Sequence, residues 1–402
     1  MLHSLRNISI LAFAQAMMNS SNGLQVTAAG LIGLALSTDS SLATLPLALQ
    51  FISGMITTPF ASLLMGKIGR RAGFMLGTAI GVTGAITAYY AITQNSFELF
   101  CMGTSLLGAF TGFGNYYRFA AVDSVHISFR SRAISWVMAG GVVAAFIGPN
   151  LAAATQHSIT AHPFAASYLA IAVIHLFTMM LLIGLDIPKV DQHQHHGGRP
   201  LREIALQPSY LTALIAGALG FGIMALVMTA TPLSMNHHHH SFPNTSFVIQ
   251  WHVFAMFAPS FFTGHLIRRF GLIPLMVVGV IFDLGCVALN LLGTSLWHYW
   301  SALFMLGIGW NFLFVGATTM LTETYQPYES AKSLALNDFI VFTTVSLASL
   351  TAGGLQHSFG WQAVNIGVLP AVLIILLTLF WCQRLSSTTI KGDYSTSAEG
   401  NK

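Results

Sequence analysis

Charge is what this sequence has least of. Asp, Glu, Lys and Arg make up 7% of its 402 residues, where a soluble domain carries about a quarter. With 54% of residues hydrophobic, so few charges cannot cover a water-facing surface, which excludes an ordinary soluble globule. Cysteine is scarce as well. Cys101, Cys286 and Cys382 are too far apart for a disulfide framework and read as small buried hydrophobes. Alternating ten-residue runs are missing, which excludes a membrane β-barrel. No glycine-rich phosphate loop, nucleophile triad, zinc spacing or ATP-binding module occurs, so neither an enzyme nor an ATP-driven pump is expected. The net charge of +4 says nothing for a nucleic-acid partner, because the charges are dispersed.

What the chain has instead is apolar length. Twelve stretches approach the ~20 residues that span a bilayer, which predicts an all-α membrane protein of twelve transmembrane helices. The apolar tract after Arg6 resumes at Leu24 and runs to Leu36, so it reads as a first span over 8–36 rather than a cleaved leader. With both termini cytoplasmic, every Lys and Arg except Arg118 falls on the cytoplasmic side, and no outward loop carries one. A polar segment rich in Gly, Pro and His separates two sets of six spans. The expected division is a six-helix half over 1–186, a cytoplasmic linker over 187–208, a second six-helix half over 209–384, and a disordered cytoplasmic tail over 385–402.

Two neighbouring spans carry soft metal ligands. Met224 and Met228 share one helix face, as do His252 and Met256, because residues four apart lie one above the other. In a hairpin turning near His240, Met228 falls level with His252, and Met224 with Met256. Three thioethers and one imidazole at matched depth form a donor set that favours copper(I). Methionine also commonly fills helix cores, and an intramembrane histidine can equally line a cavity through a hydrogen bond.

The halves echo each other: Lys67-Ile68-Gly69-Arg70-Arg71 after the second span is answered by Arg268-Arg269-Phe270-Gly271 after the eighth. The Gly69-Arg70-Arg71 loop resembles the G-x-x-x-D-R-x-G-R-R motif of the major facilitator superfamily. Ser62, Gly66 and Lys67 replace its first glycine, aspartate and first arginine. Gly264 and Gly271 fit the second copy, where Arg268 replaces the aspartate. Gly141 and Gly148-Pro149 in the fifth span resemble the glycine-proline motif of proton-coupled exporters. The resemblance implies two six-helix pseudo-repeats with a substrate site between them. The M-x-x-x-M and H-x-x-x-M patterns, at this separation, are similar to those of the CcoA-type copper importers of bacterial inner membranes. That resemblance implies copper import into the cytoplasm by alternating access, in support of haem–copper oxidase assembly. Met224 and His252 would be the principal ligands and Met228 and Met256 supporting ones. Copper would be the transported substrate, with no prosthetic group. Partners would be the lipid bilayer and periplasmic or cytoplasmic copper chaperones.

Other polar positions invite roles of their own. His237, His238, His239 and His240 could collect metal near the entrance, or form a biased loop of no consequence. At the offset that superposes Gly69 on Gly271, Met224 and His252 correspond to Asn22 and Gln50, which line the cavity with amides. Gln15 and Asn19 continue that side of the first span. Arg118, Asp283 and Asp338 are candidate coupling or gating charges, since buried charges pair or relay protons. His175 reads as a satisfied polar residue. The rival to copper is a small organic solute such as a flavin, with Asn115, Tyr116, Tyr117, Trp251, Trp310 and Asn311 available to hold it. A proton-coupled drug exporter is a further alternative. A copper sensor would need a sizeable soluble domain, which this chain lacks.

Overall fold

The computed structural model describes residues 2–125, 130–187, 198–326 and 329–399. Much of the expected linker, residues 188–197, and the end of the expected tail, residues 400–402, lie outside the described residues. No strand occurs among the described residues. The helices run α1 (Leu2–Leu36), α2 (Leu45–Ile68), α3 (Arg70–Thr93), α4 (Phe97–Gly114), α5 (Tyr117–Asp123), α6 (Arg130–Thr155) and α7 (Ala165–Leu182). They continue through α8 (Leu201–Ala205), α9 (Pro208–His237), α10 (Phe242–Phe257), α11 (Ser260–Phe270), α12 (Leu272–Leu292), α13 (Leu296–Thr322), α14 (Ser330–Ile366) and α15 (Leu369–Glu399). Seven helical stretches among the described residues are long and apolar enough to cross a membrane by length and composition alone.

Helix breaks refine the twelve-span pattern. The fourth span divides at Asn115–Tyr116 into α4 and α5. The eighth divides at Ala258–Pro259, where proline removes a backbone donor. Asn311 of α13 stitches that break: its Nδ2 donates to Met256 O (2.7 Å) and Ser260 Oγ (2.6 Å), and its Oδ1 accepts from Thr263 Oγ1 (2.7 Å). The last two spans flow together across Gly360, whose φ of 78° suits glycine. The internal repeat is visible in the backbone. Gly69 (φ 91°, ψ 158°) and Gly271 (φ 92°, ψ 160°) end one helix and start the next with the same geometry.

Packing follows the repeat. In the first group α1 lies on α6, α4 on α2 and α3, and α7 on α3. In the second, α9 lies on α14, α13 and α15, and α13 also on α12 and α10. The two groups meet along α2–α14 and α6–α10. The start of α1 and the end of α7 share the face that carries the linker, where Asn7 Nδ2 donates to Asp186 O (2.6 Å). This is called the linker face below, and its opposite the far face.

On the linker face a clamp ties the linker to the second group. Arg199 donates to Glu329 through its backbone N–H (2.7 Å), Nε (3.2 Å) and Nη2 (2.8 Å), and through Nη2 to Thr324 O (3.0 Å). These bonds, the Arg199 guanidinium first among them, hold the Glu329 carboxyl at about 2, below its usual 4.5. An acid lowered on folding contributes stability above its unfolded value and loses it as pH falls through the folded one. Glu329→Gln should therefore lower the melting temperature of the detergent-solubilised protein by a constant amount above about pH 4.5, with the difference shrinking toward pH 2. A difference that grows on acidification would exclude this linkage.

Candidate functional site between the two helix groups

The two groups touch along a series of contacts that begins at the far face. Thr44 at the head of α2 donates to Leu350 O (3.4 Å) and accepts from Gly353 N–H (3.1 Å) on α14. Farther down the same pair, Thr343 Oγ1 reaches Met55 Sδ (3.5 Å). Along the other pair, Asn150 Nδ2 donates to Gln250 Oε1, and Phe146 packs edge-on to Phe254 (5.8 Å). Gly141 has no side chain where the Phe257 ring approaches. Phe164 against Phe242 (4.7 Å) completes the closure. Toward the linker face Phe339 of α14 and Phe261 of α11 are exposed, at 59% and 70%.

Below those contacts each group carries a distinct cluster. The first group contributes amides. Gln50 Nε2 donates to Asn22 Oδ1 (3.0 Å), and the Thr111 hydroxyl lies 3.2 Å from the same oxygen. Gln50 sits here because α2 presses against α4: a Cβ at Gly108 would collide with the Gln50 carbonyl oxygen. Gln50 Oε1 is buried without a partner, and so are both polar atoms of Gln25, one turn along α1. Gln15 Nε2 donates to Asn19 Oδ1 (3.1 Å), continuing the amide line.

The second group contributes aromatics. Trp310 stacks on Phe314 (4.7 Å, 10°), with Phe221 edge-on at 5.3 Å and Phe257 at 6.2 Å. Trp310 Nε1 is buried without a partner. Phe51, next to Gln50, and Phe221 both pack against the small core cluster of Ala218, Ala225, Val341 and Val345. Gln25, Thr111, Phe221, Phe257 and Phe314 were not singled out in the sequence. Among 29 phenylalanines nothing marks the three that gather round one tryptophan.

The soft-ligand positions lie inside the second group. Met224, Met228, His252 and Met256 are all buried. His252 Nδ1–H donates to Leu303 O (2.7 Å), and Nε2 has no partner. The hairpin expectation of facing surfaces meets a different packing order. α10 lies chiefly on α13 and α6 and touches α9 only lightly, although it follows α9 in sequence. Among the described residues no group of three or more His, Cys, Asp or Glu is placed to hold a metal.

The remaining candidates scatter. His237 and His238 line a far-face cavity, His240 Nε2 bonds Thr294 O (2.7 Å), and His239 forms the turn at φ 60°. Asp283 is buried between α12 and α13, where Gly309 makes room for its carboxylate, and neither oxygen has a partner. The Arg118 guanidinium lies 4.9 Å over the Phe119 ring, within electrostatic reach of Asp338 across the group boundary. Asp338 itself accepts from Asn337 Nδ2 (3.1 Å). Of the proposed organic-solute residues, Trp310 joins the aromatic wall and Asn311 is engaged in stitching α10 to α11. Trp251 belongs to a separate aromatic cluster with Phe146, Trp300 and Phe304. Tyr117 is buried on Phe74 (4.7 Å), Tyr116 Oη donates to Thr58 O (3.2 Å), and Asn115 ends α4. His175, buried against Phe110 (4.5 Å), has no hydrogen-bond partner, contrary to the expectation of a satisfied residue.

Comparison with known proteins bears on what these surfaces serve. The riboflavin transporter RfnT of Brucella anthropi is 42% identical over 377 residues, covering 93% of this chain and 95% of that protein. An uncharacterized MFS-type transporter of Bacillus subtilis, YddS, is 25% identical over 94% of this chain and 92% of its own length. A mutant of the nucleoside transporter NupG shares the fold at TM-score 0.72 and 13% identity, covering 94% of this chain and 99% of that one. RfnT overturns the copper expectation. Copper import, copper as substrate, and copper ion or copper chaperones as partners are all unsupported, because the strongly similar full-length relative is named for an organic solute. The mistaken inference came from taking the resemblance of the soft-ligand patterns to those of copper importers as a guide to the substrate. The chain is a multi-pass membrane transporter and not an enzyme. A sequence profile for the family matches residues 9–343, most of the length: the chain belongs to the Major Facilitator Superfamily.

Proposed function

We propose that the protein moves riboflavin, or a closely related flavin, across the bacterial inner membrane by alternating access. The observation that carries this reading is the pairing of an amide surface on α1, α2 and α4 with an aromatic surface on α9, α10 and α13. A flavin has a flat tricyclic ring, an imide edge that both donates and accepts, and a polyhydroxyl chain. The ring fits against Trp310 and its phenylalanines, since aromatic faces stack offset or edge-on. The imide edge and hydroxyls complement Asn22, Gln50 and Thr111. A buried polar atom without a partner costs about 1–3 kcal/mol, so Gln50 Oε1 and Trp310 Nε1 favour an occupant that supplies hydrogen bonds. Similarity to RfnT supports the same substrate class.

The distribution of basic residues supports a cytoplasmic linker face. The far face is then periplasmic, and we read the arrangement as closed outward and open inward. Rocking of the halves 1–186 and 209–384 about the substrate would exchange the two openings. Arg118 and Asp338 would draw together when the linker face closes. Asp283, buried and unpartnered, is the residue best placed to carry a coupling proton.

The test is growth. A bacterial strain unable to make or take up riboflavin should grow on micromolar riboflavin when it expresses this chain, and cellular copper should not change. Failure of rescue by protein that reaches the membrane in quantity would reject the reading.

A further inference from the structure

A cavity lies on the far side of the closure, apart from the amide and aromatic residues. Its volume is about 920 Å³, and Asn236, His237, His238, Asn290, Gln356 and Trp361 stand in its wall. Leu233 and Gly353 also line it. Leu233 is the side chain facing Gly30 of α1, and Gly353 is bonded to Thr44. The cavity therefore abuts the contacts that shut the central site from the far face.

Three wall residues keep polar atoms without protein partners. Asn290, 2% exposed, donates through Nδ2 to Asn365 Oδ1 (2.8 Å), leaving its Oδ1 unpaired. Trp361, 4% exposed, packs on Tyr299 (5.4 Å) with Nε1 unpaired. Gln356 Oε1 is unpaired too. Among the described lining residues there is no Asp, Glu, Lys or Arg, so the wall selects against a charged guest. Asp39, beside lining Ser40, keeps its carboxylate on the Ser41 N–H (2.9 Å) and within electrostatic reach of His357. The unpaired atoms of Asn290, Trp361 and Gln356 lie beneath the wall, and the wall itself, built of amides, imidazoles and the Trp361 ring without a fixed charge, suits a neutral planar heterocycle with polar edges. Roughly 300–1,000 Å³ is the usual size of a small-molecule site.

We propose that this cavity is an outer vestibule that binds the transported flavin before the far face opens, separately from the central site. The proposal rests on the flavin reading above. In the inward-open arrangement the vestibule holds substrate against the closed gate, so that opening of α2 from α14 delivers it inward.

The test is to count riboflavin sites on the purified full-length protein by quenching of flavin fluorescence. Wild type should bind at two sites of unequal affinity. Gln356→Ala/His357→Ala should weaken one of them at least ~10-fold and leave the other unmoved. Gln50→Leu should do the reverse. Gln356 is half-buried and His357 exposed, so the double variant should fold; Trp361→Phe, which removes only the indole donor and part of the ring, repeats the test independently. A single wild-type site that both vestibule variants retain overturns the vestibule and leaves the flavin reading standing. A single site lost in both vestibule variants yet kept in Gln50→Leu supports the vestibule and overturns the central site. No riboflavin binding to wild type overturns both.

Discussion

Gln50→Leu is expected to cut flavin uptake by about 10- to 100-fold while membrane abundance stays near normal. Leucine keeps the volume and removes both polar atoms of a residue that is 3% exposed. The change deletes the bond to Asn22 Oδ1 and the acceptor at Oε1, and a lost buried hydrogen bond costs about 1–3 kcal/mol, or roughly 5- to 150-fold in affinity. Asn22→Ala should fall in the same range, because Asn22 joins Gln50 to Thr111. Met228→Leu and Met256→Leu should be nearly silent. Volume-conserving swaps usually cost under about 1.5 kcal/mol in stability, and no flavin contact depends on the sulfur. Uptake of labelled riboflavin by these four variants in one strain checks the ordering. Loss confined to the methionine variants would remove the amide surface from the site.

The second large effect concerns the closure. Asn150→Cys/Gln250→Cys, joined by a short bifunctional thiol reagent, should stop transport almost completely, with recovery when the link is reduced. These side chains meet across α6 and α10 at the far face, so a covalent tie there holds the transporter closed on that side. Cys101, Cys286 and Cys382 are buried, which keeps background reaction low. The same link between two positions of one helix group should leave transport intact. Continued transport by the fully linked Asn150/Gln250 pair would mean that this interface does not open during the cycle.

Much of the fold was legible because hydropathy alone marks helices that must satisfy their backbone inside lipid. The repeat was legible too, since Gly69 and Gly271 occupy the same positive-φ turn in each half. The breaks at Asn115–Tyr116 and Ala258–Pro259 were less so, because apolar tracts run through both. The site was half legible. Asn22 and Gln50 stood out as amides within spans, and Trp310 as a polar-tipped aromatic. Their companions come from helices remote in sequence, and Phe221, Phe257 and Phe314 look like ordinary lipid-facing or core residues. The copper-import reading of the soft ligands failed against the riboflavin-transporter relative. A short loop makes α9 and α10 antiparallel, yet tertiary packing gives α10 to α13 and α6. His252 accordingly bonds Leu303 of α13. Methionines four apart are what a buried helix often uses to fill irregular gaps.

The most direct measurement is riboflavin movement by the purified protein in sealed proteoliposomes. Vesicles preloaded with unlabelled riboflavin should accumulate labelled riboflavin transiently by exchange, saturably, and with most of the signal lost in Gln50→Leu. Vesicles holding correctly folded wild-type protein that exchange no more riboflavin than protein-free vesicles would contradict flavin transport.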